Sequence, residues 1–181
     1  SEFDTQDGLY ESVELVPLKP PHVYARVTLN KEIQEYSYNI IEPALTAGEE
    51  ENLKFLLETL NRTLKWGERE FFSRGDRMDY LQEHVDAIIE SYDMVVSAQS
   101  KARLEYYIFR DFIGYGKVEG AFMDPAIEDI SCDGVNIPIY LYHRDYGSIK
   151  SNIIFETDEE LDGYVIALAQ HLDDLAESFL M

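Results

Sequence analysis

The segment from Asp124 to Gly147 concentrates side chains that could do chemistry. Its carboxylate, thiol, imidazole and guanidinium groups are those of Asp124, Glu128, Asp129, Cys132, Asp133, His143, Arg144 and Asp145. Carboxylates and imidazoles act as general acids and bases, thiolates act as nucleophiles, and arginines bind carboxylates or phosphates. Which of these roles is possible depends on the elements that position each group.

The carboxylates of this segment are predicted to be surface acids. The run "IEDISC" is typical of a β-strand, and strand alternation would direct Glu128 and Asp129 to opposite faces of a sheet. A small hydrolase using Glu128 or Asp133 is a weaker interpretation, because neither group has an evident convergent partner.

A metal site or a reactive cysteine is not favoured either. Cys132 and His143 could face each other across the connection "DGVN", but they would supply only two ligands, and no motif has zinc-ligand spacing. Cys132 is better interpreted as a small strand residue than as a nucleophile. A single cysteine also excludes a disulfide framework within the chain and is typical of a reducing cytosol.

The glycine-rich run "GYGKVEG", residues 114–120, is not a phosphate loop. It lacks the spacing G-x-x-x-x-G-K-[ST] and has no strand before it. Tight turns explain its glycines better, so the sequence shows no nucleotide-hydrolysis machinery of its own.

Arg144 differs from these candidates. It follows a strand-like run and stands beside a turn marked by Asp145 and Gly147. From this place a guanidinium could extend its planar set of donors towards a carboxylate or a phosphate. An internal salt bridge is the alternative role in so acidic a chain.

The charge balance restricts the classes of partner. The sequence has 36 acidic and 15 basic residues and a formal net charge of −21. Nucleic acid and anionic membranes are disfavoured as general partners because both would repel this charge. A solvated acidic surface and an acidic face for a basic partner are both compatible with it. No apolar run is long enough to span a membrane, and we predict a cytosolic location.

The elements before residue 114 are predicted to be a hairpin and three helices. The runs "HVYARVTL" and "EYSYNIIEP" are strand-like, with Asn30 and Lys31 between them. Thr46 and Glu49 have the spacing of a capping box, which begins a helix that ends near residue 67. A second helix is predicted over residues 76–100 and a third over 101–113. The inward positions of the second are Leu81, Val85, Ile88, Ile89, Tyr92, Val95 and Val96.

From residue 114 the sequence predicts a short helical turn, three strands and a last helix. The strand-like runs are "IEDISC", "IPIYLYH" and "SNIIF". Thr157 and Glu160 have capping-box spacing, and an apolar face follows at Leu161, Tyr164, Val165, Leu168, Leu172, Leu175 and Phe179.

The predicted fold class is α+β, in four segments. Residues 1–16 are predicted to be a flexible acidic N-terminus whose first residues, "SEF", look like a cloning scar. Residues 17–113 form a hairpin plus helical subdomain, and residues 114–170 form a strand and helix subdomain. Residues 171–181 are an acidic amphipathic tail.

Residues 106–170 closely resemble the N-terminal domain of archaeal type II/IV secretion-system ATPases, a group that includes the archaellum and pilus motor ATPases. The resemblance lies in "GYGKVEG", "DPAIEDISCDG", "IPIYLYHRDYGSIKSNI" and "LDGYVIALAQ", in this order. Residues 17–105 match more loosely.

The resemblance implies a helical section and a PAS-like αβ layer that packs on a RecA-like ATPase core. It also implies a hexameric parent that uses ATP and Mg²⁺ to drive archaellum or pilus assembly, or secretion, from the cytoplasmic side of a membrane machinery. The expected partners are the parent's own core, neighbouring subunits and membrane-platform or accessory proteins. Arg144 matches an arginine that the family directs to the nucleotide, while Tyr142 replaces a first arginine.

The sequence also departs from this family. Walker A and Walker B motifs are missing, so the resemblance implies an N-terminal fragment that is not itself an enzyme and holds no cofactor. The family's layer would continue after residue 170, so the layer is predicted to be incomplete and residues 171–181 to be non-native. An acidic protein–protein adaptor without nucleotide coupling is the alternative function.

Overall fold

The computed structural model describes residues 8–68 and 73–180, apart from the side chains of residues 68 and 170–180. In these residues the chain has an α+β fold, as predicted. The strands are β1 (Tyr10–Lys19), β2 (Val23–Asn30), β3 (Glu35–Ile41), β4 (Ile127–Ser131), β5 (Pro138–His143) and β6 (Gly147–Ile154). The α-helices are α1 (Ala47–Thr63), α2 (Arg74–Ser91), α3 (Ala98–Phe112), α4 (Glu119–Phe122) and α5 (Asp158–Leu180).

The chain divides into two compact units that differ from the predicted segments. The first unit, here called the sheet unit, contains the residues up to Glu42 and from Lys117 onward, and the second, the helical unit, is Pro43–Gly116. The predicted grouping of the hairpin with the helices in residues 17–113 is wrong. The reason is that β3 pairs with β6, more than a hundred residues later in the chain.

Two further boundaries also differ. Strand β1 begins at Tyr10, inside the segment 1–16 that we predicted to be flexible, because it pairs along its length with β2. Helix α5 continues without a break from the predicted subdomain 114–170 into the predicted tail. Residues 1–7, which include the predicted cloning scar, lie outside the described residues.

The sheet has the strand order β1-β2-β3-β6-β5-β4. The predicted hairpin is confirmed, since β2 and β3 pair antiparallel from Tyr24 opposite Ile41 to Asn30 opposite Glu35. All neighbouring strands are antiparallel except β3 and β6. The sheet therefore consists of two antiparallel three-stranded ladders joined by one parallel contact.

The parallel contact is short and is extended by a side chain. Ser37 lies opposite Lys150, and Tyr38 lies opposite Ser151. Beyond them the Asn152 amide accepts a hydrogen bond from the Ile40 backbone N–H and donates one to the Ile40 carbonyl, both at 2.9 Å. This amide makes the two bonds that a neighbouring peptide would make in a ladder.

One face of the sheet forms the core of its unit. Alternate strand residues point to that face and are buried, as the period of two in a strand requires. They include Val23, Ala25, Val27, Tyr38, Ile40, Ile139, Leu141, Ile149 and Ile153. The short helix α4 packs against this face at Gly120, where a β-carbon would lie 2.9 Å from Cγ2 of Ile40.

The helical unit has a separate apolar core between α1, α2 and α3. Its buried residues are Leu56, Leu60, Leu81, Val85, Ile88, Leu104 and Ile108. The predicted continuation of the second helix through residue 100 is wrong: α2 ends at Ser91, and Asp93 has a φ of +48°. Tyr92 and Val95, predicted to point inward, are exposed as a result.

A buried carboxylate connects two of these helices. The predicted capping box of α1 is confirmed, with Thr46 and Glu49 bonding each other's backbone N–H. The same carboxylate accepts hydrogen bonds from the Arg103 guanidinium on α3, including one from Nε at 3.1 Å. The Arg103 bonds, helped by the Thr46 N–H and Ser100, lower the pKa of Glu49 to about 2.

None of the helices in the described ranges combines the length and the apolar character needed to cross a membrane.

Replacing Gly120 by alanine tests the close packing of α4 on the sheet. Because the new β-carbon would overlap Ile40, we expect Gly120→Ala to lower the free energy of unfolding by about 1–3 kcal/mol. Urea denaturation measures this change. Gly163→Ala on α5 is the matched control, since no atom lies within 4 Å of the place that its β-carbon would occupy. Equal stability of both variants would contradict the close contact.

The lowered pKa of Glu49 predicts a pH-dependent contribution to stability. The folded state keeps Glu49 ionised down to a pH of about 2, whereas the usual value is 4.5. This contribution is therefore complete above pH 4.5 and is lost as the pH falls towards 2. We expect the difference in urea midpoint between wild type and Glu49→Gln to shrink over this window.

The control for this experiment is Glu50→Gln, which removes an exposed carboxylate from the same helical turn. If Glu50→Gln changed the pH profile as much as Glu49→Gln, the contact with Arg103 would not be the cause.

Candidate functional site

The candidate site is the turn between β5 and β6, which carries Arg144. The two strands are joined by residues 144–146, and His143 pairs with Gly147 across the base of the turn. Gly147 has a φ of +71°, the left-handed conformation that closes three-residue hairpins. The sequence prediction of a turn after the strand "IPIYLYH" is thus confirmed.

The guanidinium of Arg144 is exposed while its backbone is fixed. The Arg144 N–H donates to the Ala126 carbonyl at 2.8 Å, and Nη2 donates to the Pro125 carbonyl at 2.7 Å. The side chain remains 60% exposed, and Nε is 3.7 Å from a carboxylate oxygen of Glu128. Exposed ion pairs at such a distance contribute little stability, so the guanidinium keeps donors available to another anion.

A buried hydrogen bond supports the segment that holds Arg144. Asp124 accepts a hydrogen bond from the Tyr38 hydroxyl at 2.8 Å, with both side chains buried. The second carboxylate oxygen of Asp124 accepts from the Ala126 N–H at 2.9 Å, and its carbonyl accepts from Ile127. Asp124 therefore fixes the two carbonyls, at residues 125 and 126, that hold Arg144.

His143 lies beneath the turn and is buried. Its Nδ1 accepts a hydrogen bond from the Asp145 N–H at 3.1 Å, which requires an unprotonated Nδ1 and places the ring proton of the neutral form on Nε2. The imidazole also packs on the ring of Tyr146, with 4.7 Å between centroids. His143 thus supports the backbone of the turn rather than facing outward.

Tyr146 connects the turn to β1. Its hydroxyl donates to a carboxylate oxygen of Glu14 at 2.9 Å, and its ring packs on Tyr36. Partial burial and the hydrogen bond to Glu14 raise the pKa of Tyr146 to about 12. Burial and the bond to Asp124 raise the pKa of Tyr38 in the same direction. Both hydroxyls stay protonated near neutral pH and act as hydrogen-bond donors.

The other candidates from the sequence do not converge. A register shift interrupts β4 between Ile127 and Asp129, and the carboxylates of Glu128 and Asp129 are both exposed, as expected of surface acids. Asp133 is exposed beyond the end of that strand.

Cys132 and His143 do not face each other as considered from the sequence. His143 lies opposite Ile127 in the β4–β5 ladder, whereas the ladder reaches Ser131 opposite Tyr140 before Cys132. Among the described residues, no group of three or more histidine, cysteine or acidic side chains is placed to hold a metal ion. The arrangement around Arg144 can bind an anion.

The supporting role of Tyr38 and Asp124 was missed from the sequence. Asp124 stands before Pro125, and Asp-Pro pairs favour turn initiation through the aspartate side chain. That signal marks the turn, but it does not identify a partner 86 residues earlier in the chain.

The hydroxyl of Tyr38 is expected to stabilise the sheet unit. Tyr38→Phe leaves Asp124 buried with one donor fewer, and we expect the free energy of unfolding to fall by about 1–3 kcal/mol. Chemical denaturation measures this loss. Tyr142→Phe on β5, where the ring is half-exposed, is the matched control and should change stability by less than about 0.5 kcal/mol. Wild-type stability of Tyr38→Phe would refute the supporting role.

The chain is similar in sequence to a protein of an archaeon. No protein-family model matches the chain. The chain is 39% identical over 133 residues to an uncharacterized protein of Methanocaldococcus jannaschii. The matched stretch is 74% of this chain and 52% of that protein. The chain therefore spans about half the length of this relative.

Proposed function

We propose that the chain is the N-terminal regulatory, oligomer-contacting and partner-docking domain of a hexameric ATPase that powers archaellum or pilus assembly, or type II/IV-like secretion. The proposal starts from the sequence resemblance of residues 106–170. The observation that carries it is the geometry of Arg144, whose backbone is fixed by the turn while its guanidinium stays 60% exposed.

Charge makes Arg144 a distinctive group in its unit. The sheet unit contains 22 acidic and 6 basic residues. A phosphate approaching this unit is repelled in general and needs a local cation to offset that repulsion. Arg144 supplies this cation from a rigid turn, and exchanging Glu128 for a phosphate costs little because their ion pair is exposed and long. This is how an arginine from outside a catalytic core stabilises phosphate charge.

The helical unit is the proposed docking surface for platform or accessory proteins. It contains 14 acidic and 9 basic residues and is less negative than the sheet unit. Arg103 is already paired with Glu49 inside the unit. Lys54 and Arg62 are exposed on α1 and lie eight residues apart, which places them on one side of the helix. An acidic partner would find its cations there.

An acidic adaptor without nucleotide coupling is the second candidate, and one observation favours it. The part of the Methanocaldococcus jannaschii relative outside the match is shorter than the 133 matched residues. A doubly wound nucleotide-binding core of six strands needs roughly 150 residues at about 30 per strand–helix–strand unit. A relative of this length suits an adaptor better than a motor.

Arg144→Ala in the full-length parent tests the proposed function. We expect ATP turnover to fall by at least about tenfold, as for other arginines that stabilise transferring phosphate, while ring assembly and ATP binding persist. Turnover is measured by phosphate release, assembly by light scattering after size exclusion, and binding by equilibrium titration with ATP.

Two variants sharpen the result. Arg144→Lys keeps the charge but loses the planar fork of donors, so it should restore only part of the turnover. Lys150→Ala removes an exposed cation from β6 of the same sheet and should leave turnover unchanged. If Arg144→Ala hydrolyses ATP at the wild-type rate, the nucleotide role is excluded and the adaptor interpretation is favoured.

A further inference from the structure

The face of the sheet opposite its core is open along β1, β2 and β3, and is here called the open face. Its side chains alternate with the buried ones of β2 and β3, and none of them is buried. They are Tyr10, Ser12, Leu15 and Pro17 on β1, Tyr24, Arg26, Thr28 and Asn30 on β2, and Glu35, Ser37, Asn39 and Ile41 on β3. Antiparallel sheets often leave one face in water, so openness alone does not indicate a partner.

Arg26 is the part of the open face that exposure to water does not explain. It lies on the middle strand, between Leu15 and Asn39. Its Nε is buried and has no hydrogen-bond partner among the described residues. Buried polar atoms are nearly always hydrogen-bonded, and leaving a charged group without a partner is costly. The guanidinium therefore indicates an acceptor that the described residues do not supply, and a carboxylate matches its donors best.

The open face also carries a carboxylate of its own. Glu35 begins β3, is exposed, and forms no ion pair with another described residue. On the same side of the neighbouring strand β6, Lys150 is exposed and pairs with neither group. Arg26 and Glu35 are the charged residues of the open face, which is therefore neutral, whereas the sheet unit has 22 acidic and 6 basic residues. Two copies repel each other less through this face than their net charges imply.

The strand register places Arg26 and Glu35 on opposite sides of a central row. In this row Ser12 lies opposite Thr28, and Thr28 lies opposite Ser37. Arg26 is one open-face position from the row on β2, and Glu35 is one position from it on β3, in the other direction. A two-fold axis along the row, between two facing copies, reverses the strands. It therefore brings Arg26 of each copy next to Glu35 of the other.

The same axis matches the exposed apolar side chains of β1. Tyr10 and Leu15 are 49% and 54% exposed and lie on opposite sides of the row, opposite Asn30 and Arg26 respectively. The axis places Tyr10 of each copy over Leu15 of the other. Packed sheets lie about 10 Å apart, a distance that an arginine and a glutamate side chain span together. The face is thus complementary to itself in both charge and apolar contact.

We propose that the open face binds the open face of a second copy of this chain, with ion pairs between Arg26 of each copy and Glu35 of the other. The carboxylate satisfies the guanidinium, whose Nε is buried without a partner in one copy. The inference does not rest on Arg144 or on coupling to nucleotide. A two-fold contact joins chains in pairs and differs from the head-to-tail contact that closes a ring.

Sedimentation equilibrium of the full 181-residue chain tests this inference. We expect a reversible monomer–dimer equilibrium, in reducing buffer so that a Cys132 disulfide cannot imitate a dimer. Arg26→Glu and Glu35→Arg each place like charges in both pairs, and each should raise the dissociation constant at least about tenfold. General repulsion would change the two constants in opposite directions, because the first substitution makes the chain more acidic and the second makes it less acidic.

An equimolar mixture of these two variants tests the pairing itself. In a mixed dimer, one copy supplies two carboxylates and the other supplies two guanidinium groups, so both pairs again join opposite charges. We expect the mixed dimer to be tighter than the dimer of either variant with itself, measured with a fluorescent label on one variant. A mixed dimer of intermediate affinity would reveal general repulsion and overturn the proposed pairing.

Glu83→Arg is the matched control for charge. Glu83 is exposed on α2 in the helical unit, and its substitution changes the net charge as Glu35→Arg does. This variant should not raise the dissociation constant. Urea denaturation checks that each variant is folded, and Glu35→Arg keeps the test decisive if Arg26→Glu does not fold, because Glu35 is exposed. Equal weakening by Glu83→Arg, or a wild-type chain that is monomeric at every concentration, would contradict the inference.

Discussion

The six strands form one sheet because β3 and β6 pair in parallel at its centre. Only Ser37 and Tyr38 have ladder partners there, so the junction depends on what extends it. The Asn152 amide supplies two further hydrogen bonds to Ile40, and the Tyr38 hydroxyl reaches Asp124 beyond α4. A valine at position 152 would have the higher strand propensity, but it could not make the two hydrogen bonds that bridge the ladders.

The geometry of Arg144 follows from this junction. Tyr38 belongs to the first ladder, and Asp124 fixes the two carbonyls that hold the arginine in the second. The position of an exposed cation is thus set by a buried hydrogen bond formed between distant parts of the chain. Such a cation has little freedom to lose when it meets an anion, because its backbone is already ordered. The position of Arg144 is therefore well defined, although its side chain makes few strong contacts.

Local patterns in the sequence predicted most of the elements and part of the site. The capping box of Thr46 and Glu49, the β2–β3 hairpin and the turn beside Arg144 each depend on residues close in sequence, and the structure contains all three. The errors concern distant partners. Because β3 pairs with β6, the hairpin belongs to the sheet unit and not, as predicted, to the same unit as the helices. The hydrogen bond between Tyr38 and Asp124 has no signal in the local sequence of either residue. Val95 fits the helical period but is exposed, because α2 had already ended at Ser91.

The order of the strands along the chain has a consequence for synthesis on the ribosome. Strand β3 is complete at Ile41, but its partner β6 starts only at Gly147. At 5–20 residues per second, the interval is about 5–20 s. During this time the helical unit, Pro43–Gly116, can fold first because it is a compact unit of its own, while β3 of the hairpin still has an unpaired edge. Unpaired strand edges of a nascent chain are prone to wrong pairing. Chaperones would therefore protect the edge of β3 most during this interval.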